Sequence, residues 1–259
     1  MTTNSPGGPQ ERFFEKLRRK TRITLTRTEA LGRVQQRHYL KRLFPLLDID
    51  LVLDVGANRG QFAQFLRRDV GYKGPLVSFE PIPELAAYLQ RLASRDKEWA
   101  VINAGVGDAA GRLNFNVMRS SPLSSFLAPT REHTDNIAHL NQIERVESVD
   151  VLTIDSFLRD ERPQAKNIYL KLDVQGYEER CLDGALGSLP KIPALQAEMA
   201  VIPLYADMPS YLTLMSKIDE LGYALSLTPA HPASQFPEII DLDMHYVRRD
   251  RLRSLGRTN

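Results

Sequence analysis

Four carboxylates stand at or near the ends of short apolar runs. They are Asp54 after Leu51-Val52-Leu53, Glu80 after Leu76-Val77-Ser78-Phe79, Asp173 after Ile168-Tyr169-Leu170-Lys171-Leu172, and Glu198 within Ala194 to Met199. An apolar run that stops at an acid and turns through glycine reads as a buried strand running into a loop. After Asp54 the chain continues Val55-Gly56-Ala57-Asn58-Arg59-Gly60 into an amphipathic segment. Gly56 and Gly60 let backbone pass close to a ligand, because they carry no Cβ. A pyrophosphate site asks for Gly-x-Gly-x-x-Gly at such a turn. This turn lacks that triplet, and a carboxylate beside it repels phosphate. It suits a ligand with a cationic group near Asp54 and a carboxylate end within reach of Asn58. Glu80 follows Asp54 by 26 residues, room for a helix and a return strand. An acid there can accept both ribose hydroxyls in a fork. Asp108, in Gly107-Asp108-Ala109, serves either as acceptor for an adenine amino group or as a turn residue.

Asp173 and Glu198 fall one strand apart, beside the place for a reacting hydroxyl. Asp173 can act as general base, as metal ligand or as holder of the cofactor. With Glu198 and waters it could bind Mg²⁺, which would stabilise an alkoxide. Alternatively both acids are anchored by backbone and helix N-termini, without a metal. Histidine is the common base near neutral pH. His133 and His139 lie in the polar stretch Ser120 to Asn141, a long loop or lid, and His133 is taken as a catalytic candidate. His245 is read as a sheet residue. Walker A, Cys-pair zinc and Gly-x-Ser-x-Gly motifs are absent from the sequence.

These residues need a scaffold of alternating strands and helices. The patterning gives helices near residues 61–68 and 83–93, strands near 51–55, 76–80 and 99–104, then strand 113–117 of an antiparallel pair. Further on come strands near 149–154, 168–173 and 194–199, a helix over 210–221 and a closing hairpin pair at 223–227 and 244–247. The order βαβαβ argues for an α/β fold, doubly wound, with helices on both faces of a mostly parallel seven-stranded sheet and an inserted strand pair.

Taken in order, LVLDVGANRGQF, SFEPIPE, AGVGDAAG, SSPLSSFL, TIDSFL, LKLDVQGYEERCLDGA and LQAEMA resemble the FkbM family of S-adenosylmethionine-dependent methyltransferases, from about Leu51 to Arg248. The family commonly has Glu between the valine and glycine of LKLDVQGYE; this chain has Gln175. The resemblance implies a class I, Rossmann-like methyltransferase fold, S-adenosylmethionine as cofactor, and O-methylation of a sugar, glycolipid or polyketide-type hydroxyl.

The chain has 259 residues and net charge +2, with one cysteine, Cys181, read as a core side chain. It divides into a disordered tail over 1–10, a basic helical extension over 11–47, the main domain over 48–250 and a basic tail over 251–259. Residues 11–42 carry 11 Lys and Arg against 3 Asp and Glu. Phe13, Phe14 and Leu17 sit among Arg12, Lys16, Arg18, Arg19 and Lys20. That mixture suits peripheral contact with an anionic membrane through residues 11–22, a nucleic acid, or a solvated helix face. The expected setting is cytoplasmic, at the inner membrane face if the arm binds lipid. A nucleic-acid methyltransferase and an inactive membrane-associated module of the same fold are the rival readings. The first is weakened by the absence of a base-flipping motif of the Asn-Pro-Pro-Tyr type.

Overall fold

The computed structural model describes residues 31–130, 141–230 and 239–256. The 1–10 tail, the arm at 11–22, His133, His139, His231 and residues 257–259 lie outside them. Helix α1 covers residues 31–46. Then come β1 (Leu51–Val55), α2 (Gln61–Phe65), β2 (Leu76–Phe79), α3 (Pro83–Ala93), β3 (Trp99–Ile102), β4 (Gly105–Val106) and β5 (Gly111–Met118). The second half has β6 (Ile143–Leu152), α4 (Ile154–Glu161), β7 (Ile168–Leu172), α5 (Glu178–Asp183) and β8 (Ala194–Ala200). It ends with α6 (Tyr211–Glu220), β9 (Tyr223–Leu227), β10 (Asp241–Arg248) and α7 (Arg249–Ser254).

Seven strands form one sheet in the order β3-β2-β1-β7-β8-β10-β9. The first five are parallel, and β10 runs antiparallel between β8 and β9. The order reverses at β1, where β2 lies on one side and β7 on the other. Such a switch point opens a crevice at the carboxyl ends of the strands. Strand alternation explains the two faces. Leu51, Leu53 and Val55 join a core with Phe157 of α4, Leu182 of α5 and Ile218 of α6. Val52 points the other way, into a core with Leu40 and Phe44 of α1, Ala63 of α2 and Leu89 of α3.

Several elements differ from the sequence expectation. The inserted pair is a three-stranded sheet, β4-β6-β5, because β6 starts at Ile143 and β4 pairs with its end. Its first half, Ile143 to Ser148, is largely exposed and carries little apolar signal. The helix expected over 61–68 continues past Phe65 as a π-helical stretch through Val70, closed by Gly71 at φ 83°. In α1, Leu40, Leu43 and Phe44 are buried but Leu31 and Val34 are exposed. Helix α7 (Arg249–Ser254) runs across the expected boundary at residue 250, so residues 251–254 of the expected basic tail are helical. Helix α6 is capped at both ends: Ser210 accepts from Thr213 N, and Gly222 follows it at φ 90°.

Candidate active site

Backbone geometry sets the floor of the crevice. The turn after β1 donates Gly56 N and Ala57 N to Phe79 O, at 3.1 and 3.0 Å, which ties it to the end of β2. Gly56 sits at φ 79°, and a Cβ there would collide with the Asp173 carbonyl oxygen. Only glycine admits this approach of the β1 turn to the end of β7. Gly60, at φ 76°, faces Leu89 and Trp99 rather than the crevice. Its role in this structure is helix–sheet packing.

Glu80 is almost fully buried. Its Oε2 accepts from Asn58 N at 2.7 Å and its Oε1 from Ile82 N at 2.9 Å. Burial pushes its carboxyl up to about 7, against the pull of these two N–H groups. Asn58, at φ 47°, donates Nδ2 to Ser121 Oγ at 3.3 Å, while its shielded Oδ1 has no donor among the described residues. Ser121 belongs to the expected loop, whose described part is pinned by an Asn116–Ser125 bridge.

Asp54 lies behind this surface. It is fully buried and does not line the cavity. Ser78 Oγ donates to its Oδ2 at 3.0 Å, and Trp99 Nε1 donates to Ser78 Oγ at 3.0 Å. Burial raises its carboxyl above the ordinary value despite the nearby Lys171 ammonium. Lys171 Nζ stands 3.5 Å from Asp54 Oδ1 and 3.0 Å from Asp173 Oδ2, and donates to Gly56 O at 3.1 Å. Burial pulls this ammonium down, yet Asp173 and Asp54 together hold it above the usual lysine range. Asp54, expected to orient a ligand's amino group directly or through water, has Lys171 in front of it, standing between Asp54 and Asp173 and lining the cavity.

Asp173 and Glu198 do come together, but through an amide. Gln175 Nε2 donates to Asp173 Oδ1 at 3.3 Å and to Glu198 Oε2 at 2.5 Å. Tyr205 Oη lies 3.0 Å from Gln175 Oε1, which orients the amide with its donors toward the acids. Burial, then the charges of Asp173, Asp241 and Asp243, drive the Glu198 carboxyl well above its ordinary value. An N–H donor occupies the place that the Mg²⁺ expectation assigns to a metal. Among the described residues no group of three or more His, Cys, Asp or Glu could hold one.

Asp108 does not reach the crevice either. It pairs with Arg180 Nη1 at 2.7 Å, across a turn that lies outside the cavity wall. His245 is fully buried within β10, its Nδ1 2.7 Å from Tyr169 Oη. Burial drops its ring to about 3, so it stays neutral.

The cavity has a volume of about 500 Å³, in the range of small-molecule and cofactor sites. Ile82, Gly105, Val106, Phe115 and Phe126 make one apolar end, and Glu80 stands at its edge. Lys171, Asp173, Gln175, Gln196, Glu198 and Asp243 line the other end, beneath Gln36 of α1. Sequence reasoning missed Lys171, Gln196, Asp243 and Gln36. Lys171 had a signal, a lone cation inside an apolar strand; Gln36 had none, because its helix lies far away in the chain.

The sequence pattern of the Methyltransferase FkbM domain matches residues 54–225. No curated protein matches the chain by sequence. Among solved structures it is similar to the 23S rRNA methyltransferase ErmE, with TM-score 0.42 and 13% identity over 82% of this chain and 68% of that one. It is also similar to Aeropyrum pernix fibrillarin with natively bound S-adenosyl-L-methionine, with TM-score 0.41 and 12% identity over 76% of this chain and 66% of that one. A third is magnesium protoporphyrin IX methyltransferase from Synechocystis PCC 6803 with bound cofactor, with TM-score 0.42 and 9% identity over 83% and 80%.

Proposed function

This chain belongs to the FkbM methyltransferase family, and from that premise we propose that it methylates a hydroxyl of a sugar, free or lipid-linked. It is an S-adenosylmethionine-dependent methyltransferase of class I architecture. The observation that carries the acceptor reading is one cavity lined by Glu80 at its β2 end and by Asp173 at its β7 end.

The residues present fit the cofactor. Glu80 offers a fork for ribose hydroxyls, the apolar end suits adenine, and Asn58 Oδ1 is an acceptor without a protein donor among the described residues. The cavity's charged side chains are mainly acidic, which favours a cation such as a sulfonium. When bound, the cofactor supplies an activated methyl carbon and its leaving group. Asp173 takes the hydroxyl proton as the acceptor oxygen attacks, and Lys171 keeps that carboxylate oriented from 3.0 Å. Glu198, holding its proton into a higher pH range, donates or accepts a hydrogen bond and is not the base. Asp54 acts from behind, fixing Lys171. Gln175 supplies the bridge between the two acids.

The basic and apolar mixture at residues 11–22 favours a lipid-linked acceptor at an anionic surface. Among the described residues no helix is long and apolar enough to cross a membrane. The test is incubation of the full chain with methyl-labelled cofactor and fractionated glycolipids, followed by mass spectrometry. Label on a carbohydrate oxygen supports the reading; label on RNA, DNA or protein overturns it. Asp173→Asn should retain cofactor binding and lose about 10²-fold or more in turnover.

A further inference from the structure

We propose that the acceptor subsite is completed by segments on either side of the family-matched region, with Gln36 of α1 as a specificity-determining contact for a hydroxylated ring. The proposal rests on the cofactor and sugar assignments above and extends them to the other half of the cavity.

The family pattern ends at residues 54 and 225. Yet the cavity is walled by Gly32, Arg33 and Gln36 upstream, and by Pro229, Ala230 and Asp243 downstream. The two outer segments hold each other. Ala230 N donates to Gln35 Oε1 at 2.8 Å, and Gly32 packs so closely that a Cβ would collide with the Ala230 carbonyl oxygen. Beneath them runs a polar chain. Gln36 Nε2 donates to Gln196 Oε1 at 3.1 Å, and Gln196 Nε2 donates to Asp243 Oδ1 at 2.9 Å. This chain lies over β8 and β10, beyond Asp173 as seen from Glu80. The cofactor's ribose end belongs to Glu80 and its amino-acid end to the β1 turn at Gly56 and Asn58, which leaves the side beyond Asp173 for the acceptor.

The chemistry of that wall selects its ligand. Amides and carboxylates present donors and acceptors together, as hydroxyls require. Phe62 adds an apolar surface for ring C–H groups. The Asp173, Glu198 and Asp243 carboxyls at this end are accompanied by the cations Lys171 and Arg33, so the wall carries no strong excess of either sign for a charged ligand to meet. A neutral polyhydroxylated ring satisfies all three conditions.

The test uses the full chain, labelled S-adenosylmethionine and a panel of methyl glycosides. Gln36→Ala should lower kcat/KM for the preferred glycoside by about tenfold, mainly through KM, as expected for one or two lost hydrogen bonds. Cofactor Kd by calorimetry should stay within about twofold, because no contact to the Glu80 end changes. Gly32→Val, which forces α1 away from Ala230, should act in the same direction, with thermal unfolding confirming an intact fold. If glycosides turn over and both variants match the parent, the inference is overturned while the function stands. A parallel loss of cofactor affinity also overturns it, since the wall would then serve the cofactor. If the cofactor binds but no glycoside is methylated, the sugar reading itself fails.

Discussion

Replacing Glu80 by Gln should make the ligand-free protein relatively more stable as pH rises, while cofactor affinity falls. Burial holds the Glu80 carboxyl at about 7 against an ordinary 4.5. Below that ordinary value both the folded and the unfolded chain carry the proton. Between it and about 7 only the folded chain does, so stability declines as pH rises through this window and then levels off. The interval corresponds to about 3 kcal/mol. A glutamine does not titrate. Its carbonyl accepts from one of Asn58 N and Ile82 N, and its amide faces the other, at a pH-independent cost of about 1–3 kcal/mol. The stability difference between Glu80→Gln and its parent should therefore shift by about 2–3 kcal/mol in the variant's favour between about pH 5 and about pH 8. Urea unfolding of both proteins across that range reads it. Glu178, also raised to about 7 by burial, cancels in the comparison. Parallel curves for the two proteins would refute the reasoning.

Lys171→Met strands the Asp54 carboxyl in a dry site and should destabilise by about 3–5 kcal/mol, and Asp54→Asn in the same chain should recover a large part of it; denaturant midpoints decide. Gly56→Ala meets both a left-handed backbone and the Asp173 carbonyl, so a loss of about 2 kcal/mol or more and of cofactor binding should appear in thermal melts and calorimetry. EDTA should leave turnover of the parent unchanged, whereas Gln175→Glu should acquire measurable Mg²⁺ binding by calorimetry, since it replaces the bridging donor with a third carboxylate.

The sheet was legible because its strands are buried on both faces and read as near-continuous apolar runs. Leu51–Val55 and Ile168–Leu172 are buried at every position, and each runs on into a turn that sequence alone exposes. The half-exposed β6 was cut short for the opposite reason: five of its ten residues are polar or charged. Acids at strand ends were visible as residue types, but their direction was not. Asp54 and Asp173 look alike in sequence; the pleat turns Asp54 inward to Ser78 and Lys171 while Asp173 stays partly exposed at the cavity. Asp108 was placed by a motif analogy, and the ion pair with Arg180 depends on an approach of β4 to α5 that no local pattern encodes. Gln36 and Asp243 reach the cavity only through tertiary packing of segments far apart in the chain.

A crystal structure of the full chain with S-adenosylhomocysteine tests the central claim most directly. Both ribose hydroxyls should lie on the Glu80 carboxylate, with adenine against Ile82 and Phe126 and the sulfur toward Asp173. Density for the nucleoside on the Gln36–Gln196–Asp243 side, or outside this cavity, would contradict it.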